Sequence, residues 1–236
     1  MDTNMIGVIL AAGVGSRLRP MTNTKPKCLV TTAGKPILQY QLDAYRAAGI
    51  YELLIIVGYE GDAIREYCKH IKGLKITILE NTDYEITNNM YSLYLAKDHV
   101  SGKPFILNNA DLSVDVSIVK SLLAHNSEDA VAVDTSLYND ESMKISITEN
   151  GFISNISKNI QKSESFACSI DFYKFSGTSS KIFFDEITKI VEKERNLKDW
   201  TEVAMQRLFN SGQLNFIPCD ISGQAWVEID DYDDLA

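Results

Sequence analysis

The stretch Met5-Ile6-Gly7-Val8-Ile9-Leu10-Ala11-Ala12-Gly13-Val14-Gly15-Ser16-Arg17-Leu18-Arg19-Pro20, followed by Thr24-Lys25-Pro26-Lys27, decides how this chain reads. An apolar run of strand length feeds directly into a loop of small residues. At Ala11, Ala12, Gly13 and Gly15 no bulky side chain keeps a polyanion away from the backbone N–H groups. Arg17 and Lys27 supply the positive charge that a triphosphate requires. The combination reads as a nucleotide phosphate cradle. A dinucleotide fingerprint would want glycine where Leu18 stands and an acidic residue closing the second strand, but the run Leu53–Val57 ends in Gly58. A P-loop would need a Gly-Lys-Ser/Thr ending, and none is present. A tight turn that binds nothing leaves unexplained why Arg17, Arg19, Lys25 and Lys27 gather in an acidic protein.

Working outward, apolar strand-like runs alternate with helix-like ones. Strands are expected at Ile6–Ala11, Leu53–Val57, Lys75–Leu79, Pro104–Asn108 and Asp129–Asp134. Helices are expected at Ile37–Ala48, Asp62–Ile71, Asn89–Asp98 and Val116–His125. Runs such as Leu53-Leu54-Ile55-Ile56-Val57 are apolar throughout, as when both faces of a sheet are covered. This is the alternation of a parallel α/β sheet. The second half changes character, with shorter strands at Lys144–Thr148, Gly151–Ile156 and Ala167–Phe175 and a hairpin turn at Glu149-Asn150-Gly151. Helices at Ser179–Glu194 and Trp200–Asn210 and strands near Leu214–Pro218 and Ala225–Ile229 complete the expectation. The whole is read as one domain, with residues 1–135 binding nucleotide and a β-rich 136–236 part binding the acceptor.

The 236 residues are 45% hydrophobic and 23% charged, a globular composition with ample length for a core. A formal net charge of −9 argues against a broad nucleic-acid surface. No stretch of about 18 apolar residues is present to insert in a membrane. Met1-Asp2-Thr3-Asn4 lacks the basic start of a signal peptide. The four cysteines, Cys28, Cys68, Cys168 and Cys219, are scattered without a Cys-x-x-Cys pair, which argues against structural zinc and a disulfide scaffold. Together these read as a cytoplasmic, reduced protein, monomer or homodimer. Cys28 is a candidate reactive thiol, although a buried thiol is the better reading.

Ligands of open α/β sheets bind beyond the carboxyl ends of the strands. Asp111, after the fourth strand in Asn108-Asn109-Ala110-Asp111, is placed there to hold a divalent metal, with a helix cap as the alternative. In Trp226-Val227-Glu228-Ile229-Asp230-Asp231, Glu228 and Asp230 share a strand face, and either can complete an oxygen site for Mg²⁺. Asp231, Asp233 and Asp234 read as a solvated helix start.

With these residues assembled, the chain resembles the sugar-phosphate nucleotidyltransferase superfamily, through Leu10–Pro20 and Lys25-Pro26-Lys27 and on through Asp111 to Trp226–Asp230. The segment Asn88-Asn89-Met90-Tyr91-Ser92-Leu93 is similar to the phosphocholine and phosphoglutamine cytidylyltransferase branch. The resemblance implies a Rossmann-like, GT-A-like α/β fold: a mostly parallel mixed sheet with helices on both faces and a small β-rich acceptor region. It implies nucleotide contacts from Leu10, Ala11, Ala12, Gly13, Gly15 and Ser16, with Arg17 on the β- and γ-phosphates and Lys27 on the α-phosphate. Asn81, Asn88, Asn89 and Ser92 would lie near the base, Asp111 and Asp230 would hold Mg²⁺, and Lys158 would meet the acceptor phosphate. Two departures, Ala110 where sugar enzymes usually carry Gly and no Pro after Lys158, count against a hexose 1-phosphate.

The implied reaction is CMP transfer from MgCTP to a small phosphorylated acceptor, in service of cell-surface polysaccharide decoration. Phe172, Tyr173, Tyr84, Tyr91 and Trp200 are candidates to line a pocket for a choline-like headgroup, as Asp171, Asp199 and Glu202 are for a primary ammonium. Glu228 is placed on the acceptor side. Two rivals are a sugar 1-phosphate nucleotidyltransferase using UTP or dTTP and a non-catalytic nucleotide-binding regulatory subunit. The second would be expected to lack at least one of Arg17, Lys27, Asp111 and Asp230.

Overall fold

A computed structural model describes residues 4–235. Met1–Thr3, part of the segment read against a signal peptide, lie outside the described residues. The elements run β1 (Ile6–Ala11), β2 (Thr31–Thr32), β3 (Lys35–Pro36), α1 (Ile37–Ala47), β4 (Glu52–Val57), α2 (Gly61–Lys69), β5 (Lys75–Glu80), α3 (Asn89–Tyr94) and α4 (Lys97–Val100). They continue through β6 (Phe105–Asn109), β7 (Leu112–Val114), α5 (Val116–Ala124), β8 (Ala130–Asp134), β9 (Lys144–Ile147), β10 (Ile153–Ser157) and β11 (Ala167–Phe175). The last are α6 (Gly177–Thr188), α7 (Thr201–Asn210), β12 (Ile217–Asp220) and β13 (Trp226–Glu228).

β5, β4, β1 and β6 pair in parallel, each reached through helical crossovers. Beyond β6 the sheet turns antiparallel through β11, β9 and β10, while β8 and β12 extend it off β11. All nine strands belong to one sheet, and the cradle loop leaves β1 at its centre. Alternate residues of each central strand feed opposite cores. Val8, Leu10, Leu54 and Ile56 pack with α3, α6 and α7, and Ile9, Ala11, Ile55 and Val57 pack with α1 and α5. Burial on both faces explains the uninterrupted apolar runs. Among the described residues no helix is long and apolar enough to cross a membrane.

Several details differ from the sequence reading, among them the short β2–β3 ladder, which was not anticipated. The helix expected over Asn89–Asp98 divides into α3 and α4 at a tightened turn, where the Ala96 N–H donates to Leu93 O. That expected over Ser179–Glu194 widens after Thr188 into a π-turn at Lys189–Lys193. The strand expected at Leu214–Pro218 pairs only from Ile217, because Leu214 and Phe216 are spent in the core before the ladder to β8 begins. β7, not anticipated, pairs antiparallel with β13.

Candidate active site

The β7–β13 pairing sets the site. Its register puts Glu228 opposite Leu112, and the next bridge, from the Ile229 N–H to Asp111 O at 3.0 Å, carries the chain end back over the tip of β6. One carboxylate oxygen each from Asp111, Glu228 and Asp230 thereby lie within 4.8 Å of one another. Asp234 fixes the last of these by accepting from the Asp230 N–H at 2.7 Å and the Asp231 N–H at 3.0 Å. The acidic tail is a brace as well as the solvated end expected of it.

Lys27 reaches into this cluster from the far side. Its Nζ donates to Asp111 Oδ2 at 2.9 Å and to Asp230 Oδ1 at 2.8 Å, and Arg17 pairs with the same Asp230 oxygen at 2.7 Å. Gly15 makes this approach possible. Its φ of +63° suits glycine, and a Cβ there would sit 2.8 Å from the Lys27 Cβ. Burial lowers the Lys27 pKa, but Asp111 and Asp230 outweigh it and hold the ammonium above its ordinary value. Burial raises Asp230, yet Lys27 and Arg17 bring it below the usual carboxylate value. Burial, and then the charges of Asp111 and Asp230, push Glu228 up to about 7. Asp111 Oδ1 is buried with no hydrogen-bond partner. An orphaned carboxylate oxygen in an all-oxygen, net-negative cluster fits a hard divalent cation such as Mg²⁺.

The cluster opens into a cleft of about 420 Å³. Leu10, Ala11, Ala12, Gly13, Gly15, Ser16 and Arg17 line one wall, and Asn81, Asn88, Asn89 and Ser92 line another. Lys158, Asp171, Trp200 and Glu228 close the end of the cleft. Of the residues singled out from the sequence, Tyr173, Phe172, Tyr91 and Asp199 stay off the cleft. The Tyr173 ring is 1% exposed and lies behind the wall, its hydroxyl oxygen 2.8 Å from both Asp171 Oδ1 and Glu202 Oε1. Phe172 points into the opposite core against Tyr45, Tyr91 stacks on Tyr94, and Asp199 accepts from Asn196, so none of the three lines the cleft. Tyr84 does line it.

This end of the cleft is rich in carboxyl groups and carries an aromatic ring. Burial, then the charge of Glu202, raises the Asp171 carboxyl well above its ordinary value, and burial raises Glu202. Asp171 takes a left-handed φ of +56° at an irregularity in β11, which turns its carboxylate to the Asn109 amide at 3.1 Å. Lys158 Nζ stands 5.3 Å from the centroid of the 42%-exposed Trp200 ring. Sequence reasoning missed Glu141, whose carboxylate lies 3.8 Å from Arg17, and Ser169 and Asn109 on the lining. Only the adjacency of Asn109 to Asp111 signalled any of them. Cys28 is buried, and burial pushes its thiol up to about 12, leaving it unreactive.

The nucleotidyl transferase family matches over residues 6–153. The chain belongs to this family. Among its relatives is the CTP:phosphoglutamine cytidylyltransferase of Campylobacter jejuni, 28% identical across 98% of each chain. The choline-phosphate cytidylyltransferase of Streptococcus pneumoniae is 42% identical over 97 residues, 41% of each chain. The solved inositol-1-phosphate CTP transferase of T. maritima superposes with a TM-score of 0.83 at 21% identity, over 100% of this chain and 94% of that one. The last is a likeness of fold. In this nucleotidyl transferase β1 and the loop to Lys27 lie inside the matched segment, whereas Glu228 and Asp230 lie beyond it.

Proposed function

We propose that this nucleotidyl transferase moves CMP from CTP to the phosphate or phosphonate of a small amino-bearing or choline-like compound, giving a CDP-linked product (CMP-linked for a phosphonate) and pyrophosphate. The observation that carries it is the Lys27 ammonium, held between Asp111 and Asp230 at the mouth of a small-residue loop. A cation so placed stands ready to neutralise an incoming α-phosphate. Asp111 and Asp230 are the residues to hold Mg²⁺, with Glu228 beside them. Bound there, the ion would neutralise charge on the phosphates.

This chain's own residues do the rest. The backbone at Ala11–Ser16 cradles the triphosphate, Arg17 takes the β- and γ-phosphates, and Lys27 neutralises the α-phosphate. An acceptor oxygen, already anionic, forms the new bond to the α-phosphorus as the bond to pyrophosphate breaks and its electrons leave on pyrophosphate. No general base is needed, so catalysis is positioning and charge stabilisation. Lys158 holds the acceptor phosphate, while Trp200, Asp171 and Glu202 receive its cationic end. In this reading the part up to about residue 135 carries the nucleotide cradle and the 136–236 part supplies most of the acceptor end, within one domain. We assign the reaction to the cytoplasm, where its product serves decoration of cell-surface polysaccharide. The convergence of all four site charges speaks against a regulatory subunit.

The test follows pyrophosphate release with CTP, UTP, GTP or dTTP and Mg²⁺. Acceptors are phosphocholine, phosphoethanolamine, aminoethylphosphonate, phosphoglutamine and glucose 1-phosphate. Turnover is expected with CTP and a phosphorylated amine. Efficient turnover of UTP with glucose 1-phosphate would overturn the reading.

A further inference from the structure

We infer that Asn88 and Asn89 act on the acceptor side of the cleft, as positioning residues for Trp200 and Glu202, rather than as readers of the nucleotide base. The inference rests on the acceptor end proposed above. Its starting point is an irregularity at α7. The residue in the capping position of that helix is Trp200, which makes no side-chain cap hydrogen bond. Serine, threonine, aspartate or asparagine ordinarily stands there, because a side-chain oxygen must accept from the first free N–H groups. Thr201, the first helical residue, is 1% exposed, so its N–H cannot turn to water.

Asn89 supplies the missing oxygen from another element. Its Oδ1 accepts from the Thr201 N–H at 3.0 Å, across 112 residues of chain. Asn88 adds two more links to the same segment. Its N–H donates to Leu197 O at 2.9 Å, and its Nδ2 to Lys198 O at 3.1 Å. Asn88 Oδ1 is meanwhile taken by the N–H of Asn89 at 2.8 Å. Three hydrogen bonds therefore tie the start of α3 to the segment 197–201. Lending the cap from Asn89 frees position 200 for a large aromatic ring that faces the cleft beside Lys158. The same clasp fixes the first turn of α7, where Glu202 meets the Tyr173 hydroxyl.

The base-side alternative is weaker on the same bonds. Both side-chain oxygens of the asparagine pair, and one of the two Asn88 amide N–H groups, are engaged by protein. Asn81, the other asparagine on that wall, is itself occupied: its amide donates to Thr87 Oγ1 and Ser92 Oγ, both at 3.0 Å, and its oxygen accepts from the Asp83 N–H.

The test compares Asn89→Ala and Asn89→Asp with the parent protein. Amide hydrogen exchange is read at 197–203 and at 11–17, CTP affinity by calorimetry with Mg²⁺, and acceptor KM by pyrophosphate release. Losing the bond in Asn89→Ala is expected to speed exchange at 197–203 by about five- to tenfold, with the cradle unchanged. CTP affinity is expected to stay within about twofold while acceptor KM rises by about five- to tenfold, as for one lost hydrogen bond. Asn89→Asp keeps the accepting oxygen, so it is expected to exchange like the parent at 197–203. A fivefold loss of CTP affinity in either variant, with exchange at 197–203 unchanged, would overturn the inference. If no phosphorylated amine is turned over at all, the acceptor reading fails, but exchange and CTP affinity still decide the clasp.

Discussion

Replacing Lys27 by methionine keeps the aliphatic stem and removes the cation between Asp111 and Asp230. The Lys27 side chain is 14% exposed and the two carboxylates 25% and 24%, so the group is sheltered without being sealed. Breaking a buried pair by removing one partner typically costs 3–5 kcal/mol, and the residual access to water places this case near the lower end, about 3 kcal/mol. For a chain of this length that corresponds to a fall in Tm of roughly 6–12 °C. Two carboxylates beside Glu228 are then left with Arg17 alone, and Arg17 is more than half exposed. Millimolar Mg²⁺ is therefore expected to raise the Tm of Lys27→Met more than that of the parent, because a competing cation has gone. Activity is expected to fall by about 10²–10³, the usual loss when one donor to developing phosphate charge is removed. Scanning calorimetry with and without Mg²⁺ reads the first two effects, and pyrophosphate release reads the third. A variant that loses stability but keeps its rate within about tenfold would show Lys27 to be a strut only, and the proposed chemistry would fall.

Asp111→Asn is expected to abolish turnover and to remove the Mg²⁺-dependent rise in Tm, measured by the same two assays. Trp200→Ala is expected to raise the KM for phosphocholine more than that for phosphoethanolamine, because a quaternary ammonium depends on the ring face while a primary one can donate to carboxylates. Asp171 and Glu202 carry pKa values raised by burial, so the folded protein binds their protons more tightly than the unfolded chain does. Their contribution to stability is full below the ordinary carboxylate range and is lost as pH rises through the raised values. Urea unfolding across that window is expected to show a falling midpoint that Asp171→Asn flattens. Gly58→Ala would set a Cβ 2.7 Å from Tyr84 Cβ and 2.8 Å from Ala12 O, so a loss of about 1–3 kcal/mol and weaker CTP binding are expected from urea unfolding and calorimetry.

Gly58 also shows what the sequence made legible. Its place at the end of an apolar run excluded a dinucleotide fingerprint, and the structure supplies the reason for a glycine there: the cradle backbone at Ala12 and the Tyr84 side chain crowd it. β1 runs over Ile6–Ala11 as its composition requires, and β4, β6 and β8 fall within a residue of the expected bounds, because strands covered on both faces declare themselves by apolar length; the edge strand β5 does so by alternation. The site charges were legible for a similar reason, since Arg17 and Lys27 follow a strand end and Asp111 follows another.

What stayed hidden depends on pairing between distant segments. Leu112–Val114 is too short to announce a strand, yet its ladder with Trp226–Glu228 is what returns Glu228 and Asp230 to Asp111. Tyr173 reads as a pocket aromatic until the irregularity in β11 shows Asp171 turned outward at a left-handed φ and the tyrosine left behind it with its hydroxyl between two carboxyl groups. The asparagine pair is the sharpest instance. Capping and base contact were both open for it, and local spacing can speak only to the helix that follows. A cap lent to α7, more than a hundred residues away, leaves one trace in the sequence: a tryptophan standing where that helix needs an oxygen.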